Sequence, residues 1–297
     1  MHLVVLFAIF ALAWGLRYAW SETATLTWRD SPAERLCQRW ERTLAIFLLP
    51  PLLLFTSAIA IIWMGPHGRM VWVGNDWLSY WLAIGFLGVA ALYWFQLARS
   101  GWLLLQQVRT YPTIKLGSNS ARLLDLPTLY SAQIGFWEPE LVITQVLLDT
   151  LDAEHLEAVL AHEQAHYHYR DTYYFFWLGW VRQLTSWLPQ TEAIWQELLV
   201  LRELRADRWA SDRTDPLLVA EALLSIVQST PALTENFCAP FSQMAPANRI
   251  DRRIDALLAI STSQPVDLDR DYQLTHLSAW TWLLLALLPL LAVPFHT

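Results

Sequence analysis

The sequence predicts an α-helical membrane protein with four transmembrane helices and, between the third and fourth, a mainly helical α+β domain with a small sheet. Three observations predict it. Long uncharged apolar runs lie near both ends of the 297 residues, charge and mixed periodicity return between them, and 18 Trp with a positive mean hydropathy are unusual for a soluble domain. The formal charge of −7 describes a mildly acidic chain without a basic face for nucleic acid. Cys37 and Cys238 are far apart and lack CxxC spacing, so neither a disulfide scaffold nor a thiolate metal site is expected.

The elements follow in chain order. Residues 44–64 and 77–98 are each long enough to cross roughly 30 Å of hydrocarbon at about 1.5 Å per residue. Pro50 and Pro51 predict a kink in the earlier run, tolerable where neighbouring protein satisfies the freed carbonyls. A third run, 277–295, is rich in Leu, with Trp280 and Trp282 placed for an interface. The first stretch, about 2–20, competes between a span and a signal peptide. Its positive charge, Arg17, follows the apolar part rather than preceding it, which favours a retained span.

With four spans, the loop holding Arg17, Arg29, Arg35, Arg39 and Arg42 faces the cytoplasm by the charge bias. Three helices then occupy 1–98, a cytoplasmic domain 99–275, and the fourth helix 277–295. The expected location is a bacterial inner membrane.

In the domain, residues 109–116, 131–136 and 140–145 read as short strands between Gly, Ser and Pro breaks. Asp152 can cap a helix that runs through Leu156, Val159 and Leu160 into His162-Glu163-Gln-Ala-His166. Residues 173–181 are apolar for too short a length to span, and predict a helix packed in the domain or lying at the bilayer surface. After Pro189, Thr191 can cap a further helix over 192–211 that carries Glu203 and Asp207.

His162 and His166, four apart on one helical face, can bind one ion at about 2.0–2.1 Å. Glu163 can reach the remaining position and take a proton from a water there. Chance placement of three polar residues on a helix face is the competing reading. Glu203, after one intervening helix and a turn, can return a carboxylate as third ligand, and Asp207 one turn later can hold a histidine N–H and fix its tautomer. The competing readings are a surface charge for Glu203 and an ion pair to Arg170 or Arg208 for Asp207. Zn2+ is then the expected cofactor, and such a domain resembles the zincin-like peptidases of the gluzincin type.

The segments Phe136-Trp-Glu-Pro139, Val159 through Asp171, Trp187-Leu-Pro189 and Arg202-Glu-Leu-Arg-Ala-Asp207 resemble the M56 family of membrane metallopeptidases, which includes the sensors of β-lactam resistance. The resemblance implies His162, His166 and Glu203 as ligands, Glu163 as general base, Asp207 as the following acid, and a structural role for Arg170-Asp171. Ala206 departs from the Cys frequent in those relatives, and Ala-Asp is closer to the CAAX-prenyl-protease-like and heat-shock membrane peptidases. No penicillin-binding sensor domain follows the last expected span, so the resemblance carries no antibiotic sensing.

The function expected is therefore a membrane-anchored zinc endopeptidase. Its partners would be the lipid bilayer and a protein substrate, either a transcriptional repressor, as the resemblance implies, or a membrane protein marked for turnover. The alternative is a non-catalytic signalling or scaffold protein with a structural zinc site. Transport is disfavoured, because the confident spans hold no charge. Tyr167 and His168 are expected to be ordinary helix residues.

Overall fold

The computed structural model describes residues 10–18 apart from 12 and 16, together with 34–65, 77–116, 119–229, 250–262 and 284–295. The chain forms two compact units. One comprises Met1–Phe95, Trp180–Leu198 and Asp267–Thr297, the other Gln96–Gly179 and Leu199–Val266.

The first unit is built on α1 (Glu34–Met64) and most of α2 (Trp77–Arg109). Both are long and apolar enough to cross a membrane. Pro50 and Pro51 lie inside α1, which nevertheless continues as one element. Proline has no N–H for the carbonyl four residues back, so Pro51 frees the carbonyl of Phe47. Arg17 donates Nη2 to that oxygen at 3.0 Å and places its guanidinium 5.2 Å from the Phe47 ring centroid. Arg17 is thus fully buried rather than part of an exposed loop, and Arg35, Arg39 and Arg42 lie on α1 itself.

Small side chains let the two helices approach. Ala58 and Ile61 pack with Ala83, and Phe55 meets Phe86 edge-on at 5.2 Å. The outer surfaces of the helices differ. Half of the most apolar stretch of α1 is buried, against 11% for α2, where Trp81, Leu82, Leu92 and Phe95 are all largely exposed.

Of the other expected spans, 2–20 is described only within 10–18, and 277–295 only from Leu284 onward. There the chain makes a turn and then a 3-10 stretch, Leu288–Phe295, instead of an uninterrupted α-helix. Pro289 and Pro294 each withdraw a backbone donor from the ladder an α-helix needs. Two helices of crossing length, not four, are present among the described residues.

The second unit opens with a four-stranded sheet: β1 (Thr113–Leu116), β2 (Asn119–Leu124), β3 (Ser131–Ile134) and β4 (Glu140–Thr144), in the order β1-β2-β4-β3. The β1/β2 and β3/β4 pairs are antiparallel and β2/β4 is parallel. Gly135, beside the β3 end, is at φ +148°, and a Cβ there would lie 2.8 Å from the Pro139 Cα, so the connection to β4 requires glycine. Glu140 joins the sheet to the end of α2 through Arg109 at 2.8 Å and Arg122 at 2.6 Å. Strand β2 and the short α3 (Gln145–Thr150) were not expected from the sequence pattern.

Along the chain helices α4 (Ala153–His168), α5 (Asp171–Leu184), α6 (Thr191–Ser211), α7 (Pro216–Ser229) and α8 (Ile250–Thr262) follow, of which the end of α5 and the start of α6, Trp180–Leu198, belong to the first unit. Ala121, Leu129, Leu141, Ile143 and Leu147 form a core against which Leu156 and Leu160 of α4 and Ile226 of α7 pack. A second core joins Ala158 of α4, Ala210 of α6, Val219 and Ala220 of α7 and Leu257 of α8. Thr191 does not cap α6 through its hydroxyl oxygen. The hydroxyl instead donates to the carbonyls of Thr185 at 2.8 Å and Leu188 at 3.1 Å. Cys238 and the rest of 230–249 lie outside the described residues.

Candidate metal centre

Asp152 begins the helix that carries the site, its carboxylate accepting the His155 N–H at 2.9 Å. Leu156 and Leu160 turn toward the sheet core, and Ala158 and Ala165 are buried. His162 and His166 consequently leave α4 on a shared face. Their Nε2 atoms stand 3.2 Å apart and their rings are edge-on.

Tyr169 ends α4, and Arg170 adopts a left-handed φ of 53° before α5 starts at once with Asp171. The sharp break places Asp171 Oδ2 2.7 Å from His166 Nδ1. The other Asp171 oxygen accepts a hydrogen bond from Arg205 of α6, whose guanidinium lies over the Tyr169 ring. Asp171 therefore holds a candidate ligand, which goes beyond the structural role that the resemblance implies for it.

Helix α6 supplies Glu203 and Asp207 one turn apart. Glu203 Oε2 is 3.4 Å from His162 Nε2, and its Oε1 is 3.9 Å from His166 Nε2. Asp207 Oδ1 lies 2.9 Å from His162 Nδ1, an ion-pair contact rather than a well-aligned hydrogen bond. Its cation is neither of those expected. Arg208 pairs with Asp212 at 3.4 Å and Arg170 sits over Trp137, whereas Arg253 of α8 reaches Asp207 with Nε at 2.7 Å and Nη2 at 2.6 Å.

These residues fit a zinc ion. Two nitrogens about 2.0–2.1 Å from one ion at a tetrahedral angle stand about 3.3 Å apart, close to the spacing of the two imidazoles. One ligand atom each from His162, His166 and Glu203 lies within 4.8 Å of the others, so the three could hold a metal ion. Both Nδ1 atoms face carboxylates, which leaves both Nε2 atoms turned to Glu203. Glu163 is buried beside His162, and its Oε2 has no hydrogen-bond partner among the described residues. A buried acceptor left unsatisfied costs about 1–3 kcal/mol, a penalty that a water or substrate proton would relieve.

Charge is balanced in this pocket by alternation. Burial raises the Glu203 carboxyl, but Arg202, Arg253 and His162 more than reverse it and hold the group well below its ordinary range. Burial likewise opposes ionisation of Asp171 and Asp207, and Arg205 with His166, or Arg253 with His162, lowers each below its usual value. His162 is pulled down by burial, yet Asp207 and Glu203 raise it to about 9. All three carboxylates are thus ionised at neutral pH, ready to accept N–H bonds or to face a cation. Tyr167 is exposed, and His168 packs near Trp209.

A family model described as Peptidase family M48 matches residues 129–236. The match runs from just before β3 through α4, α5, α6 and α7, and so includes His162, Glu163, His166, Glu203 and Asp207. It supports a zinc metallopeptidase, but of a different family from the M56 proteins that the motifs resemble. No curated protein matches the chain.

Proposed function

We propose that this protein is a membrane-anchored zinc endopeptidase that hydrolyses peptide bonds of a protein substrate. The observation that carries the proposal is the meeting of two imidazole Nε2 atoms and the Glu203 carboxylate next to a buried Glu163 whose Oε2 is unsatisfied among the described residues. His162, His166 and Glu203 would hold the ion. Zinc bound there supplies a Lewis acid that polarises the scissile carbonyl and makes water more acidic.

The chain's own groups do the remaining work. Glu163 takes a proton from the attacking water and later gives it to the leaving amine nitrogen. Asp171 and Asp207 keep the two Nδ1 atoms protonated, so each imidazole presents its Nε2 to the ion. Membrane anchoring is supported by α1 and α2, above all by the large apolar side chains that α2 leaves exposed. For the side of the membrane, Arg29, Arg35, Arg39 and Arg42 ahead of α2 favour a cytoplasmic peptidase domain, with Arg17, buried against Phe47, no longer counted among them. Kinship with the M56 proteins rests on their shared motifs, and with it the choice between a transcriptional repressor and a membrane protein as substrate.

Glu163→Gln tests this reading. The variant should bind zinc as the natural chain does and lose about 10²–10⁴-fold in peptide hydrolysis, the usual contribution of a general base. Unchanged hydrolysis would remove Glu163 from the mechanism, and a full chain that takes up no zinc would remove the mechanism itself.

A further inference from the structure

Arg253 lies beyond the segment that matches the peptidase family, on a helix that carries none of the expected site residues. It nonetheless touches two acids of the metal centre. Nε and Nη2 grip both oxygens of Asp207 at 2.7 and 2.6 Å, while Nη1 stands 3.3 Å from Glu203 Oε2. The Asp207 oxygen nearest to Nη2 is the one that faces His162 Nδ1. A single guanidinium thus spans the orienting acid of one imidazole and the carboxylate expected to bind metal.

Delivery of this group depends on α8. Leu257, one turn beyond Arg253, is fully buried among Ala158 of α4, Ala210 of α6 and Val219 and Ala220 of α7. Residues four apart share a helical face, so seating Leu257 in that core aims Arg253 at the site. From this geometry we infer that Arg253 is a positioning residue that sets the orientation of Asp207, His162 and Glu203 together, and that the metal centre is complete only when α8 is docked.

Two effects of Arg253 on a bound cation oppose each other. Its charge repels zinc, whereas its planar fork holds two carboxylates in place. Lysine separates them, because it keeps the charge and loses the fork. If orientation dominates, removing the fork should cost what loss of an orienting partner usually costs a metal site, about 10–100-fold in affinity.

The inference rests on the zinc-peptidase reading, and the test keeps the two apart. Zinc dissociation constants would be measured by chelator competition on the full-length, detergent-solubilised chain, for the natural protein, Arg253→Lys and Arg253→Met, alongside the visible spectrum of the cobalt-loaded forms. Both variants should bind zinc about 10–100-fold more weakly and show an altered cobalt spectrum. Millimolar guanidinium should restore part of the affinity of Arg253→Met. Natural affinity in Arg253→Lys, or tighter binding in Arg253→Met, would overturn the inference while leaving the peptidase reading intact. Should Arg253→Met fail to fold, Arg253→Lys decides alone. Failure of the natural chain to bind zinc would instead defeat the underlying reading.

Discussion

The two imidazoles of the candidate metal centre are held in different ways. His166 is clamped locally by Asp171, five residues away across a helix break, in an aligned hydrogen bond of 2.7 Å backed by Arg205. His162 is clamped from a distance by Asp207 on α6, in a 2.9 Å ion-pair contact backed by Arg253 on α8. One clamp can form with little more than the turn after α4. The other requires three helices to pack correctly, so it reports on the assembly of the whole domain.

Removing the group that both imidazoles face should have the largest effect. Glu203→Gln deletes the acid lying 3.4 and 3.9 Å from the two Nε2 atoms and should abolish stoichiometric zinc binding at micromolar concentrations. Equilibrium dialysis with metal analysis checks it, and a variant that still binds one equivalent would break the comparison by showing that the acid is dispensable.

The two clamps can then be ranked. Asp171→Asn and Asp207→Asn should each weaken zinc binding by about 10–100-fold. The Asp207 change should be the larger, because it also takes from the buried Arg253 the charged carboxylate that its Nε and Nη2 grip. Breaking a buried charge pair from one side costs about 3–5 kcal/mol, so Asp207→Asn should also unfold at lower denaturant than Asp171→Asn. The reverse order would show that the local clamp dominates.

Acidity should sharpen the contrast further. His162 is raised to about 9 in the metal-free chain, so its proton competes with zinc below that value. Apparent affinity should rise by about tenfold per pH unit from near neutrality up to about pH 9 and then level. The sign reverses for the metal-free fold. Stability contributed by the charged imidazole is fully present below its unfolded value, near 6.5, and is lost as pH rises through about 9. A flat zinc affinity between pH 7 and 9 would contradict the remote clamp as described.

The smallest change should come from Arg205→Lys. Arg205 meets Asp171 through Nη2, a contact that an ammonium can replace, whereas Arg253 uses a fork that it cannot. Zinc affinity within about threefold of the natural chain is expected, against the 10–100-fold loss in Arg253→Lys. Equal losses in the two variants would erase the distinction between the clamps.

The same division explains what could be read from the chain. The meeting of His162 and His166 beside Glu163 was legible because helical spacing alone brings them together, and the approach of Glu203 and Asp207 because one turn separates two acids on one later helix. Asp171 was not recognised, since five residues from His166 is the wrong spacing for one helix. The signal was present in the acid that opens α5 directly after the break at Arg170. Arg253 could not be found this way, because its role depends on the seating of Leu257 in a core drawn from three other helices.

In the sheet, β4 and β3 were legible from apolar runs, but β2 owes its identity to parallel pairing with β4, a long-range contact. The apolar helices show a similar limit. Hydropathy identified α1 and α2, whereas Arg17 was read as a loop charge because its partner carbonyl becomes available only through a proline four residues beyond Phe47.

X-ray absorption at the zinc edge of the full-length, zinc-loaded chain tests the central claim most directly. The account predicts one zinc per chain in an all-nitrogen-and-oxygen shell near 2.0–2.1 Å, with outer-shell scattering from two imidazoles that falls to one in His162→Ala. Zinc without imidazole scattering, or an unchanged spectrum in that variant, would contradict it.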